Sequence, residues 1–484
     1  MMKLIKSKKR FLITFSIFIF IFSFFNFHYT VKAAEIEKIN LKKAFELAYE
    51  NNSELKKAER NKEKSELDLD LAWRALFPDL KLESSYTRMS EAPKITSPNY
   101  TMTYSPADFY DIDNFKKNPQ LKKDKSDVLL VPETIEGPKD NYQTSLSFTQ
   151  PIYMGGQIRL GIEQAKKGLK MAEVQNEQKK AEILNQIINS YYNLLMAKER
   201  VDIEKQALLL VKEHKNIAES SYESGVALKT DVLQAEIELS KAKNSLKNAQ
   251  NQFELAKKSF KNQLGIDKTQ KIAIEDNSEF IPEVNLNKEK LYKKALSEKP
   301  ELKMLEINQN LTKTNLKMEE KSNYPQIMLM GNYSWQGSEL DFENGSGNIV
   351  LSASMTLFDS GKSNIKEDKI EKELENLKDS KKDLKDMVEL DIEQQLIKLE
   401  EKNDNIKLQE MNLKKAKESL NIEEKRFKEG MGRTVDVIQA QTTLKQIKMG
   451  KMQAENEYEI ALFEMLNKTG QLVNYCEEVI NNEK

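Results

Sequence analysis

From residue 41 to residue 77 apolar side chains recur at helical spacing, with Leu41, Phe45, Ala48 and Leu55 among them, until Pro78 stops the run. The period then changes from helical to alternating. Leu80, Leu82 and Tyr86 share one face of a strand over 80–89, and Tyr142, Leu146, Phe148 and Ile152 do the same over 142–153. Between them, residues 91–141 hold six prolines and predict an excursion at the end of a strand hairpin. After Gly155-Gly156 a helical pattern runs to Tyr222 through Ile183, Ile187, Tyr191, Leu194, Val201, Leu208 and Val211, a helix of roughly 100 Å. The return helix places Leu239, Ala242, Leu246, Ala249, Phe253, Ala256 and Phe260 at alternating spacings of three and four, a coiled-coil seam.

The same succession then recurs. A helical stretch over 291–324 ends before Pro325, just as 41–77 ends before Pro78, a shift of 247 residues. Strands are predicted over 326–335, with Ile327, Leu329, Tyr333 and Trp335 on one face, and over 348–358, with Ile349, Leu351, Ala353, Met355 and Leu357 on one face. Gly361 follows Gly156 by 205 residues. So does Gly430 follow Gly225: YESGVALKTDVLQAEIEL, from Tyr222, returns as FKEGMGRTVDVIQAQTTL, from Phe427. Each glycine suits the left-handed residue that ends a helix. Asp231 and Asp436 are then expected to cap the next helix, with Gln234 and Gln439 three residues on. The second seam is Leu444, Ile447, Lys451, Ala454, Tyr458, Ala461 and Met465, where Lys451 reads as a rim charge or an interhelical ion pair.

Composition narrows what such a chain can be. Charged residues make up 32% against 39% hydrophobic, with only 16 Gly and 11 Pro in 484 residues, which fits long solvated helices better than a compact enzyme. Residues 1–33 have a basic start, an apolar run from Phe11 to Phe27 and small residues before Ala34, so they are expected to be a signal peptide cleaved after Ala33. The run is also long enough for a membrane anchor, and no cysteine follows it to carry a lipid. The 76 Lys and Arg nearly balance the 77 Asp and Glu, which speaks against nucleic acid as a partner. The lone Cys476 has no partner for an intramolecular disulfide, and His28 and His214 are too few for a catalytic triad or a histidine metal site. Hence neither catalysis, a cofactor nor a metal is expected. Phe358-Asp-Ser-Gly-Lys-Ser resembles the end of a phosphate loop but has Thr356 where that loop needs glycine.

Four short strands with one apolar and one polar face carry the alternation of a transmembrane β-barrel, although a soluble one-sided sheet has the same pattern. Nothing else in the mature chain offers an apolar face wide enough to cover them. Four strands cannot close a barrel, so the chain must oligomerise: a dimer gives eight strands and a trimer twelve, and only the larger leaves a useful lumen. The outbound helices and the return paths match in length, so each chain should supply two continuous helices and two end-to-end stacks.

With its duplicated tips Gly225…Asp231-Val-Leu-Gln-Ala and Gly430…Asp436-Val-Ile-Gln-Ala, and its strand-to-helix turns at Gly155, Gly156 and Gly361, the mature chain resembles the TolC-type outer-membrane efflux family. The resemblance implies an α+β membrane protein, a homotrimer in which a twelve-stranded β-barrel continues into an α-helical tunnel. It also implies an outer-membrane location in a Gram-negative-type bacterium, with the helices in the periplasm. Its expected partners are a periplasmic adaptor and an inner-membrane pump of the RND or ABC type, for efflux or type I secretion by passive conduction. The tips Gly225 and Gly430 would dock the adaptor, and Asp231, Asp436, Arg433, Tyr222, Phe427 and Gln439 would surround the periplasmic aperture. A ring of carboxylates there would favour cations. This chain departs from the family in having Gln439 for a second aspartate, Phe427 for a tyrosine and its arginine one place displaced, at Arg433. For Asp231 and Asp436 plain helix capping is the competing role. The expected division is a signal over 1–33, a first repeat over 34–265, a linker over 266–290, a second repeat over 291–470 and a tail over 471–484. Rival readings are a periplasmic coiled-coil adaptor or scaffold without a membrane barrel, and a surface adhesin using the 91–141 loop.

Overall fold

The computed structural model describes residues 37–96, 134–275, 280–339 and 345–481. The expected signal peptide, residues 97–133 of the 91–141 excursion and the start of the turn near Glu343 lie outside the described residues. In chain order the elements are β1 (Glu37–Ile39), α1 (Leu41–Asn51), α2 (Ser53–Arg74), β2 (Asp79–Arg88), β3 (Lys94–Thr96), β4 (Thr134–Glu136), β5 (Asp140–Met154), α3 (Gln157–Glu223) and α4 (Lys229–Leu264). They continue as β6 (Ile272–Ile274), α5 (Lys288–Glu298), α6 (Pro300–Glu320), β7 (Gln326–Gly337), β8 (Gly345–Ser354), α7 (Lys362–Lys428), α8 (Thr434–Lys468) and α9 (Leu472–Asn481). Both α3 and α7 are 67 residues long, and each starts and stops 205 residues from the other.

The helices expected as single runs over 41–77 and 291–324 are each broken once, at Asn52 and at Lys299. Asn52 turns its Oδ1 to accept from the N–H groups of Glu54 and Leu55, at 2.8 and 3.2 Å, and so starts α2. Lys299 precedes Pro300, whose ring disfavours helical backbone at the residue before it. Opposite each break a return helix ends in a left-handed glycine. A Cβ on Gly265 (φ 73°) would stand 2.6 Å from the Asn51 carbonyl oxygen, and one on Gly470 (φ 75°) 2.7 Å from the Glu298 carbonyl carbon. Only glycine fits either approach.

The chain divides into two compact units: residues up to 63, 171–307 and from 378 form one, and 64–170 with 308–377 form the other. In the first, Ile183, Leu184, Ile187, Ile188, Tyr191 and Tyr192 bury two adjoining stripes of α3 under Phe45, Phe260 and Phe463. The parallel pair β1–β6 closes over this core. The stretch 471–484, expected as a tail, instead forms α9 up to Asn481 and packs Leu472 and Cys476 into the same core.

The second unit holds one antiparallel sheet in the order β2-β5-β7-β8. Its register decides which residues share a face. Leu80, Phe148, Gly331 and Ile349 lie in one cross-strand row, and Leu82, Leu146, Tyr333 and Gly347 in another. The intervening row is Lys81, Ser147, Asn332 and Asn348, so one side of the sheet is mostly apolar, interrupted by Ser84, Thr144 and Gln150, and the other mostly polar. Where glycine leaves the apolar face thin, a ring covers it. Phe148 lies over Gly331 and Tyr333 over Gly345 and Gly347. Ile152 sits at a bulge between Pro151 and Tyr153, and Met355 and Leu357 fall beyond the end of β8. Among the described residues no further strand pairs with β2 or β8, which leaves both edges open.

Candidate functional site at the hairpin tips

Both hairpin tips use the same turn. Gly225 takes φ 78° and its N–H reaches the Tyr222 carbonyl at 2.9 Å, while Val226 N–H bonds back to Ser221 at 2.8 Å. Gly430, at φ 71°, repeats this with Phe427 at 3.0 Å, and Met431 with Arg426 at 2.8 Å. These paired bonds satisfy the last carbonyls of α3 and α7. The two tips touch: a Cβ on Gly430 would lie 3.2 Å from Val226 Cγ1.

The following helices begin earlier than the sequence suggests. Their caps are Leu228 and Arg433, so Asp231 and Asp436 are acids at the third position of the first helical turn rather than caps. Lys229-Thr230 and Thr434-Val435 can both adopt helical backbone, and a carboxylate at the third position still reaches the cap. Asp231 accepts the Leu228 N–H at 3.0 Å, but leucine has no side-chain acceptor to complete the exchange. Asp436 is engaged differently. Its two oxygens take Arg433 Nη2 at 3.0 Å and Nε at 3.1 Å, a bidentate pair whose hydrogen bonds hold the carboxyl below its usual range. Thus the two equivalent aspartates carry unequal free charge.

The other predicted residues also diverge. Tyr222 is half-exposed, with the Lys229 ammonium 5.4 Å from its ring centre. Phe427, its equivalent, is buried against His214, ring centres 4.9 Å apart. Gln439 faces solvent and takes no part in the tip contacts. Under the tips Ala218, Ala235, Leu420, Val437 and Ala440 form the core that holds the hairpins together. Sequence reasoning missed His214 and Thr434. Both are buried with an unpartnered polar atom, His214 Nε2 and Thr434 Oγ1. Burial pushes the imidazole down to about 4, against an upward pull from the Asp231 charge. A histidine on an apolar stripe was the signal that could have found it.

At the opposite end of each long helix Gly155 (φ 61°), Gly156 (φ 85°) and Gly361 (φ 76°) make left-handed turns out of the strands. A Cβ on Gly155 would come within 2.8 Å of Tyr324 Cβ. Asp359 fills the phosphate-loop-like start of α7, accepting from the N–H groups of Gly361 and Ser363 at 2.9 and 2.8 Å. The Ser363 hydroxyl and these N–H groups lower its carboxyl to about 2, so the chain's own carboxylate occupies the anion position. Lys451 pairs with Glu455 on its own helix, not with a neighbour. Among the described residues no group of three or more His, Cys, Asp or Glu could hold a metal ion, and no helix is long and apolar enough to cross a membrane.

The outer membrane efflux protein family model matches residues 44–265 and 291–471, both halves of the duplication. The chain belongs to the outer membrane efflux protein family. Outer membrane protein TolC of Escherichia coli (strain K12) is 28% identical over 123 residues, an alignment spanning 25% of each protein. In fold the chain is similar to the outer membrane protein VceC of Vibrio cholerae, with a TM-score of 0.66 at 17% identity over 89% of this chain and 96% of that one. It is also similar to the Campylobacter jejuni CmeC outer membrane channel, with a TM-score of 0.67 at 15% identity over 92% and 90%. An outer membrane efflux protein of this fold resides in the outer membrane with its helices in the periplasm. The reading as a scaffold without membrane strands is thereby set aside.

Proposed function

We propose that this protein is the outer-membrane exit duct of a tripartite efflux or type I secretion machine, conducting its cargo passively. The observation that carries the reading is the four-stranded sheet with one apolar face and two open edges. Unpaired strand edges are not tolerated in lipid, so the sheet must close with copies of itself. Three copies give twelve strands, enough for a water-filled lumen, and twelve helices to continue it. The two repeats over 34–265 and 291–470 supply equal shares on either side of the 266–290 linker. The hairpin tips around Gly225 and Gly430 form the periplasmic aperture and dock an adaptor, itself joined to an RND or ABC pump in the inner membrane. Asp231 and Asp436 line the aperture, where their carboxylates favour cations.

Conductance of the detergent-extracted protein in a planar bilayer tests this, comparing wild type with the double variant Asp231→Asn/Asp436→Asn. A stable cation-selective pore that loses selectivity in the variant is expected. Unchanged selectivity would assign both aspartates to helix starts alone, and folded protein without conductance would refute the duct.

A further inference from the structure

Where α8 ends and α6 begins, beside α3, the first compact unit holds a cleft of about 610 Å3. Five glutamates and two lysines line it. Several of these charges are already engaged: Lys303 pairs with Glu177 at 3.8 Å, Lys179 with Glu182 at 2.9 Å, and Tyr49 Oη donates to Glu477 at 3.5 Å. The Lys180 ammonium lies 5.9 Å from the centre of the Tyr49 ring. Glu298 and Glu301 have no ion-pair partner among the described residues. Glu301 Oε1 takes the Gln178 amide at 3.4 Å, but its Oε2 and the Oδ1 of Asn185, both on side chains that line the cleft, are shielded from water and accept no hydrogen bond. Buried acceptors are rarely left so. The first half of the chain shows how the same carboxylate is otherwise satisfied. Glu54, 247 residues before Glu301, pairs with Lys57 at 2.7 Å, whereas the residue 247 after Lys57 is Met304. The second joint therefore has the carboxylate without its cation.

We infer that this cleft binds a primary ammonium group, supplied by a free polyamine or by a diamino acid carried on a peptide. An ammonium brings three donors and a positive charge, so one group can satisfy Glu301 and Asn185 together. Rotation about its terminal torsion turns either oxygen toward the cleft. Glu298 adds to the negative potential there without having to touch the ligand. Ordered water would supply donors but no charge, and the volume exceeds what a few bridging waters need. A metal ion fits less well, since among the described residues no three His, Cys, Asp or Glu are grouped to hold one. Bound in this way, the ligand ties α3 to the start of α6 and braces the break between α5 and α6.

Calorimetric titration of the full chain, extracted from membranes in detergent, decides it with cadaverine and Nα-acetyl-lysine amide as probes. Saturable binding at one site per chain is expected. Tighter binding of cadaverine identifies a free polyamine as the source, and tighter binding of the lysine amide a peptide. Tetramethylammonium, a cation without donors, should bind about ten-fold more weakly or worse. Glu301→Gln should weaken the better probe by a similar factor, Asn185→Asp should strengthen it several-fold, and Glu54→Gln at the first joint should change nothing. The site is overturned if neither probe binds, if tetramethylammonium or Mg2+ competes equally at the same ionic strength, or if the affinity ignores both cleft substitutions.

Discussion

Lys468 Nζ stands 2.9 Å from Asp391 Oδ2, and the same oxygen lies 3.6 Å from Lys299 Nζ. The counterparts of these residues in the first half of the chain are Gln263, Gln186 and Asn52. Neutral amides replace the charges there: Gln263 Nε2 donates to Gln186 Oε1 at 2.9 Å as Lys468 does to Asp391, whereas Asn52 Nδ2 donates to the Gln263 backbone carbonyl at 2.8 Å. One architectural joint, where a return helix meets the break of a split helix, is therefore built twice with different chemistry. The ionic version has two cations on one carboxylate, one of them on a buried residue, Lys299.

Removing the shared carboxylate should expose that difference. Asp391→Asn leaves two ammonium groups together without a counter-ion and is expected to cost about 1–3 kcal/mol, whereas Gln186→Ala, which deletes a neutral amide, should cost about 1 kcal/mol or less. Chemical unfolding followed by circular dichroism compares the two. Equal losses would mean that the charge on Asp391 contributes nothing at the joint.

The terminal glycines separate backbone strain from steric clash. Gly225→Ala meets only the left-handed φ, since nothing lies within 4 Å of its Cβ, and should cost about 1 kcal/mol. Gly265→Ala and Gly470→Ala add a collision with rigid backbone and should each cost at least about 2 kcal/mol. Folding yields and unfolding midpoints of the three variants should follow that order.

His214 predicts how stability depends on pH. Its folded value of about 4 lies below the ordinary 6.5, so between these limits the unfolded chain takes up a proton that the folded chain refuses. Its contribution is present above about pH 6.5 and is lost as pH falls toward 4, by up to about 3 kcal/mol. His214→Leu should shrink the difference between unfolding midpoints at pH 7 and pH 4.5. An unaltered difference would place the acid sensitivity elsewhere.

At the second tip the bidentate pair sets how much charge Asp436 offers a passing ion. Freeing it with Arg433→Gln should raise the cation-to-anion permeability ratio of the reconstituted pore. The added Asp436→Asn should lower it again. A ratio that ignores both changes would show that this carboxylate does not face the conduction path.

Much of this was legible along the chain. The helical and alternating periods, the glycines that need positive φ and the two shifts of 205 and 247 residues are local properties, carried by each residue's own backbone preference and by its spacing. They sufficed for the long helices, the four strands with their apolar face and the positions of both tips. What they could not decide is which of two equivalent residues becomes buried or paired. Tyr222 stays half-exposed while Phe427 lies under His214, a residue 213 positions earlier, and Lys468 finds Asp391, 77 positions earlier. Likewise 272–274 folds as β6 because Ile39 and its strand are there to pair with, whereas its counterpart in the second half lies within α9. Duplicated sequence determines duplicated elements, since these arise from neighbours along the chain. Substitutions between the copies make the two halves unequal, and tertiary structure decides which of those differences become buried or paired across long stretches of chain, because such partners lie far away in the sequence.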